Sequence, residues 1–189
     1  MKAYDLIRQR RTIRKFQQKK LDRVQLEKMV DAARLAPSAS NMQPLKYIIV
    51  DEDETVAQFF KYVKWASFIA PAGNPGKGEE PVAYIVILLD TQVRDSGYEL
   101  DVGAAAQNIF ITALEEGIGS CWMGAIDREG IRKLLNIPER YKVNTIVALG
   151  YPSENPVMED ENGSVKYYKD DSGVLHVPKR KLEDIILNL

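Results

Sequence analysis

The chain has few of the side chains on which metal and thiol chemistry depend. Its 189 residues include one cysteine, Cys121, and one histidine, His176. A single cysteine cannot form an internal disulfide, and one Cys with one His supplies fewer ligands than a zinc site needs. We therefore expect no metal site, and we interpret Cys121 as a small buried residue and His176 as a structural one.

An excess of charge of one sign is also missing. The 26 Lys and Arg residues nearly balance 27 Asp and Glu residues, so no global basic field would attract nucleic acid. No run reaches the roughly 18 apolar residues of a membrane span, and no apolar stretch follows the basic N-terminal segment. We expect a cytoplasmic protein with neither nucleic acid nor membrane as a partner.

The apolar residues are numerous enough for one compact domain over residues 1–189. Helical spacing predicts helices near 4–7, 26–35, 98–116 and 181–187, and β-branched runs predict strands at 47–50, 82–89 and 143–149. A hairpin is predicted around residues 171–173. Because helices and strands do not alternate strictly, the pattern indicates an α+β layer fold.

Two segments are predicted to contact molecules outside the core. Residues 55–70 are rich in aromatics and predicted to be helical, and a breaker-rich loop follows, so 59–80 is interpreted as a mobile lid. The 98–116 helix is apolar nearly all round, with a thin waist at 103–106. We expect this helix to dimerise, with Ala105 in the interface.

The first candidate site is the run Arg-Arg-Thr-Ile-Arg at residues 10–14. Three guanidiniums and a hydroxyl within five residues suit the capture of a phosphate dianion. A solvated basic turn at a helix end is the alternative that this run alone leaves open.

The second candidate is the polar loop Pro-Ser-Ala-Ser-Asn-Met-Gln-Pro at residues 37–44, between a predicted helix and a predicted strand. Its Ser, Asn and Gln side chains both donate and accept, as the ribityl hydroxyls and pyrimidine edge of a flavin require. A loop whose polar groups satisfy its own backbone remains the alternative.

A third segment, Gly-Ile-Gly-Ser-Cys-Trp-Met-Gly at 117–124, has glycines but not those of a dinucleotide-binding loop. They follow a predicted helix, their spacing differs, and no acidic residue stands about 20 positions on. The better interpretation is a helix C-cap that leads into a strand.

Several of these segments together resemble the nitroreductase family of FMN enzymes. The matching residues, in order along nearly the whole chain, are Arg10, Arg11, Thr12, Arg14 and Phe16; Ala36 to Pro44; Gln107 and Asn108; Gly117 to Trp122; Ala148 to Pro152; and Pro178 to Glu183. The resemblance implies a mixed central sheet flanked by helices in an intertwined homodimer.

The resemblance also implies where FMN would be held. Arg10, Arg11 and Thr12 would bind the phosphate, with Arg180 and the nearby Lys179 closing over it. Arg14 would lie near the N1 and O2 edge of the ring. The remaining implied cofactor contacts come from the partner subunit's loop, with Pro37, Ser38, Ala39, Ser40, Asn41 and Gln43, and from Trp122, Met123 and Gly124 near N5 and O4.

The implied reaction passes hydride from NADH or NADPH to FMN and then to a small acceptor, such as a nitroaromatic or quinone, in a ping-pong cycle. No side chain is assigned as catalytic, because the cofactor performs the chemistry. Trp65 and Phe68 are interpreted as substrate contacts of the lid, although aromatics at helical spacing are usually core. The alternatives are a specialised relative, active in dehalogenation or flavin breakdown, and a flavin-binding dimer without turnover.

Overall fold

The computed structural model describes residues 2–65 and 69–187. The helices are α1 (Ala3–Gln9), α2 (Arg23–Arg34), α3 (Asp53–Phe59), α4 (Glu99–Glu115), α5 (Arg128–Leu134) and α6 (Leu182–Ile185). The strands are β1 (Leu45–Val50), β2 (Ala83–Asp90), β3 (Gly119–Met123), β4 (Tyr141–Gly150), β5 (Val157–Asp160), β6 (Tyr168–Lys169) and β7 (Leu175–Lys179).

The central sheet has four strands in the order β1-β2-β4-β3, and neighbouring strands run antiparallel. Strand β2 lies in its interior, and all eight of its residues are buried, as its continuous apolar run requires. A parallel bridge joins Thr12 to Ser120 of the edge strand β3. The α+β class is confirmed. Among the described residues, the Thr12–Ser120 bridge is a parallel pairing at the edge of an otherwise antiparallel central sheet.

Helices cover both faces of the sheet. On one face α2 and α4 pack with Ile85, Ile87 and Leu149, and on the other α3 and α5 pack with Tyr84, Val86 and Ile146. Alternate residues of a strand point to opposite faces, so β2 contributes to both cores. The two cores fix the sheet, whose edge strand β3 carries part of the candidate site.

A second, smaller sheet has the strand order β5-β7-β6. The predicted hairpin is confirmed here, because β6 pairs antiparallel with β7 and the intervening Gly173 has a φ of +79°. Strand β5 pairs with β7 in parallel, which the sequence did not indicate.

The helix predicted over residues 55–70 ends earlier than expected in the described part of this range, and residues 66–68 lie outside that part. Helix α3 ends at Phe59, a single 3-10 turn covers Phe60–Tyr62, and Val63 is extended, with a bridge to Ile126. The backbone N–H of Lys64 donates to the carbonyl of Ala125 at 3.0 Å. This pairing between residues 63–64 and 125–126 overrides the local helical pattern. The role of residues 59–80 as a lid stays a prediction.

The placement of Ala105 in a dimer interface was wrong. Ala105 is 1% exposed and belongs to the core between α4, α2 and the sheet. The small side chains of Ala105 and Ala106 therefore serve close packing within the chain, whereas Gly103 and Ala104 are only partly buried. Leu100, at 84% exposure, lies on the uncovered side of the same helix.

Among the described residues, no helix combines the length and the apolar character that crossing a bilayer would require.

Candidate functional site

The arginines of the first candidate lie in an extended segment laid along the edge of the central sheet. After α1 ends, Ile13 donates its backbone N–H to the carbonyl of Ser120 at 3.0 Å, beside the Thr12 bridge. The approach is close, since a Cβ on Gly119 would lie 2.9 Å from Cβ of Ile13. Glycine at this position therefore lets the arginine segment sit against β3.

A small cavity of about 140 Å³ collects cationic side chains from both ends of the chain. Its walls are formed by Arg10, Arg11, Thr12, Arg14, Tyr167, Leu175, Val177 and Lys179. The structure thus brings Lys179 of β7 to the N-terminal arginines, although more than 160 residues separate them. We call this space the cationic cavity.

The charges of the cationic cavity are not neutralised from within. In the part of the chain that the structure describes, no carboxylate lies within 4.0 Å of the Arg10 or Arg11 guanidinium. Burial lowers the pKa of Arg10, and burial together with the neighbouring Arg10 lowers that of Arg11. Arg11 donates through Nη1 to the carbonyl of Arg10, while its buried Nε has no partner among the residues that the structure describes.

An unpartnered buried guanidinium N–H is a donor that an anion could satisfy. Because a phosphate offers several acceptor oxygens and negative charge, the donor set fits a phosphate group. The structure therefore favours the phosphate interpretation of residues 10–14 over a solvated basic turn.

A second space, of about 230 Å³, adjoins the first through two shared residues, Arg14 and Tyr167. Its walls are Arg14, Lys64, Trp65, Cys121, Trp122, Met123, Gly124, Ala125 and Tyr167. We call it the ring cavity. The predicted residues Arg14, Trp65, Trp122, Met123 and Gly124 therefore lie together.

Several contacts define the ring cavity. The carbonyl of Met123 accepts a hydrogen bond from Thr145 Oγ1 at 2.6 Å, which holds the end of β3. The Trp122 side chain is 47% exposed, and its ring lies 5.8 Å from that of Phe110. Trp65 Nε1 is buried and has no hydrogen-bond partner among residues 2–65 and 69–187, so that part of the chain leaves a donor of this cavity unsatisfied. Phe68 lies outside the described residues.

Cys121 lies in the wall of the ring cavity as a buried free thiol. Burial raises its pKa to about 11, against a smaller opposing effect of Arg14. The thiolate is therefore disfavoured at neutral pH, in agreement with its interpretation as a small buried residue.

The polar loop of residues 37–44 lies at a different cavity, of about 350 Å³, next to the start of α4. Ser38 Oγ donates to Oδ2 of the buried Asp101 at 2.6 Å and accepts from the backbone N–H of Gln43 at 2.9 Å. Gln43 Nε2 donates to Asn41 Oδ1 at 3.0 Å. Part of the loop's polarity is therefore used internally, as the structural alternative expected.

The backbone of this loop adopts conformations that are unusual for a connection between a helix and a strand. Ser40, Asn41 and Gln43 all have positive φ, between 50° and 54°. Such backbone conformations cost free energy in residues with a side chain and are enriched at functional sites. Pro37 and Ala39 complete the loop, and the backbone N–H of Ala39 donates to Asp101 Oδ1 at 3.3 Å.

The structure differs from the sequence-based predictions at two residues, one predicted at the site but lying outside the cavity and one that lines the site but was not predicted. Arg180 does not line the cationic cavity; it is 63% exposed and lies 3.9 Å from Glu161. Tyr167 lines both cavities, and no motif indicated it. Its place depends on the small sheet, whose pairing the sequence only partly predicted.

The fold, an antiparallel sheet covered by helices on both faces, is that of an α+β protein. The cationic cavity at the edge of this sheet is a candidate cofactor site. Comparison with known proteins then identifies the family. A model of the nitroreductase family matches residues 7–151. The chain belongs to the nitroreductase family.

Individual relatives agree with this assignment. A protein of Methanothermobacter thermautotrophicus named "Putative NADH dehydrogenase/NAD(P)H nitroreductase" is 33% identical over 85% of this chain and 82% of its own length. The crystal structure of a nitroreductase family protein from Clostridium novyi NT is 30% identical, with a TM-score of 0.68 over 80% of this chain and 87% of its own. An FMN-dependent nitroreductase from Clostridium difficile R20291 is 26% identical, with a TM-score of 0.63 over 88% and 91% of the two chains.

Proposed function

We propose that the protein is an FMN-dependent oxidoreductase that takes hydride from NADH or NADPH and reduces small acceptors such as nitroaromatics or quinones. The observation that carries the proposal is the cationic cavity, where three half-buried arginines and Lys179 converge and the buried Nε of Arg11 has no partner among the described residues. A mononucleotide phosphate is a ligand that would offset this charge.

The neighbouring ring cavity supports a flavin rather than a free phosphate. Arg14 lies between the two cavities, so one ligand could place its phosphate in the first and its ring in the second. FMN, when bound, supplies the two-electron hydride chemistry. Arg14 would stabilise negative charge at the N1–C2=O edge, and the backbone of Met123 and Gly124 would face N5 and O4.

The names of the relatives point to the same reaction. The Methanothermobacter protein is named for NADH and NAD(P)H, and the Clostridium difficile structure is described as FMN-dependent. We extend both properties to this chain. The use of one pocket in turn by donor and acceptor, in a ping-pong cycle, is part of the proposal, as is substrate contact by Trp65.

We further propose that the site is completed in a homodimer. The polar loop and the cationic cavity belong to separate concave surfaces of one chain. In a dimer, Ser38, Ser40, Asn41 and Gln43 of the partner would reach the flavin. In this arrangement the positive φ angles of Ser40, Asn41 and Gln43 would serve to present the loop to the flavin of the other subunit.

The experiment is anaerobic reduction of the purified protein after saturation with FMN. We expect a flavin spectrum that survives gel filtration, bleaching by NADH or NADPH, and recovery of the colour when a quinone or nitroaromatic is added. Parallel lines in double-reciprocal plots would support the ping-pong order. A protein that does not retain FMN would contradict the proposal, and one that retains FMN without bleaching would be a flavin-binding protein only.

A further inference from the structure

The inference concerns Tyr167, which lies beyond the part of the chain that matches the family model. It lines both the cationic cavity and the ring cavity, a property it shares with Arg14. The Cζ of Arg14 lies 5.1 Å from the centroid of the Tyr167 ring. At this distance the guanidinium is attracted by the negative face of the aromatic ring.

The small sheet holds Tyr167 in this place. The next residue, Tyr168, pairs with His176 in the β6–β7 ladder, and the two rings stack at 5.0 Å and 14°. Tyr168 also donates its hydroxyl to Glu159 of β5 at 3.3 Å. Because consecutive residues of an extended chain point to opposite sides, anchoring Tyr168 directs Tyr167 the other way, where it meets Arg14.

Arg14 depends on such outside contacts for its orientation. Its backbone N–H donates to Glu154 Oε1 at 2.6 Å, which fixes the main chain but not the guanidinium. Within residues 2–65 and 69–187, no carboxylate forms an ion pair with that guanidinium. The Tyr167 ring therefore supplies a contact that restricts the long side chain without neutralising its charge.

We propose that Tyr167 is a positioning residue that holds the Arg14 guanidinium at the junction of the two cavities. The inference rests on the proposed function, because Arg14 acts there on the ring edge of FMN. Tyr167 would then raise affinity for the flavin ring and favour its reduced, anionic form, while leaving the phosphate contacts to Arg10, Arg11 and Lys179.

The test measures three quantities on the whole protein: the Kd for FMN, the Kd for riboflavin, and the midpoint potential of bound FMN. Tyr167→Leu keeps most of the side-chain volume and removes the aromatic face. We expect Kd to rise on the order of fivefold for both flavins, the size of a typical cation–π contact. We also expect a more negative midpoint potential, since a fivefold weaker preference for the reduced form is roughly 20 mV for two electrons.

Three matched variants separate positioning from general damage. Tyr167→Phe retains the aromatic face and should restore both affinity and potential. Tyr168→Phe loses the hydroxyl contact with Glu159 in the same sheet but keeps the ring that stacks on His176, so it should leave the potential unchanged. In an Arg14→Met background, Tyr167→Leu should have no further effect on the potential, because its action passes through Arg14.

The outcomes are distinguishable from a failure of the proposed function. If the wild-type protein does not bind FMN, the proposed function fails. If it does, while Tyr167→Leu leaves the potential unchanged or weakens FMN without weakening riboflavin, the inference about Tyr167 alone is overturned. Equal shifts of the potential in Tyr167→Leu and Tyr168→Phe would overturn it as well, since they would reflect loosening of the small sheet.

Discussion

Arg10 and Arg11 are adjacent cations held partly away from water, and their environment lowers the pKa of both. Neighbouring like charges raise the free energy of the empty site. An anion that binds between them removes this repulsion and satisfies the Nε of Arg11. The proposed FMN phosphate is a dianionic group of the kind that such a site would suit.

Arg11→Ala should therefore weaken FMN retention. The loss of one charge-assisted hydrogen bond typically costs about 1.5–3 kcal/mol, which is roughly 10- to 100-fold in Kd. The measurement is fluorescence titration of the apoprotein with FMN. Riboflavin, which has no phosphate, should bind the variant and the wild type alike.

Arg8→Ala is the matched control, because Arg8 carries the same charge but does not line the cationic cavity. Its Kd for FMN should stay within about twofold of the wild type, as for surface substitutions. Equal losses in both variants would show that overall charge rather than a specific contact retains the flavin.

Single residues show how far sequence reasoning reaches. The arginine run was predicted as a phosphate site from its composition, and residues 122–124 were predicted as site residues from the family resemblance; the structure brings both to adjoining cavities. The choice between Lys179 and Arg180 could not be made from the sequence, because only the pairing of β7 decides which alternate side chains line the cationic cavity, and these are Leu175, Val177 and Lys179. That pairing depends on contacts far away in the sequence.

At the scale of elements, the close contact between the arginine segment and β3 leads to a prediction. In Gly119→Ala the new Cβ would lie 2.9 Å from Cβ and both γ carbons of Ile13, so the 10–14 segment must shift. We expect a loss of about 1–3 kcal/mol in the free energy of unfolding, as for overpacked cores, together with weaker FMN binding. Urea unfolding and FMN titration check the two effects.

Gly76→Ala is the corresponding control. The Cβ there would approach only the carboxylate end of the half-buried Glu79 side chain, 3.2 Å from Oε2, and a shift of a few tenths of an ångström preserves its ion pair with Lys15. Its stability and flavin affinity should remain near those of the wild type. A Gly119→Ala protein with unchanged properties would mean that the segment is not held against β3 as described.

The small sheet contains the one histidine of the sequence, and its contacts there change its affinity for a proton. His176 of β7 contacts Glu159 of β5 at 2.7 Å and Asp170 at 3.2 Å, and these carboxylates raise its pKa. A raised pKa means that the folded state binds the proton more tightly than the unfolded state. The stabilisation is thus complete below the unfolded value of about 6.5 and is lost as the pH rises through the folded pKa.

Replacement of this histidine should remove that pH dependence. We expect His176→Gln to lower Tm most near pH 6, with the gap to the wild type closing as the pH is raised toward 9. Thermal unfolding followed across this range checks the sign. A gap that widens with pH would indicate that the neutral imidazole, not the charged one, is the form stabilised by the fold.

Elements were predicted well where the local pattern and the tertiary contacts agree. Helix α2 and strands β2 and β4 have strong periodicity or continuous burial, and their existence followed from the sequence. Residues 63 and 64 were predicted as helix but are extended, because their backbone pairs with residues 125 and 126. The helical pattern of neighbouring aromatics carries no information about such a partner.

At the scale of the whole molecule, the separation of the two concave surfaces is the main argument for a dimer. The polar loop is tied to Asp101 at the start of α4, and exposed apolar residues, Met42 and Leu100, stand nearby. The Leu100 side chain is 84% exposed, although exposed leucine has an unfavourable hydration free energy. A second copy that covers this region would bury those residues and add the loop to the flavin site.

The final prediction tests this arrangement with a charge on the proposed interface. Leu100→Glu should shift the protein from dimer to monomer in sedimentation velocity and reduce the flavin retained, because a buried unpaired carboxylate is costly and the partner's loop is lost. Val24→Glu introduces the same charge at an equally exposed apolar residue of α2, at 76% exposure, and should leave both properties unchanged. If Leu100→Glu remains a flavin-loaded dimer, another surface joins the subunits; if it becomes a monomer that retains FMN fully, the partner's loop does not contribute to the site.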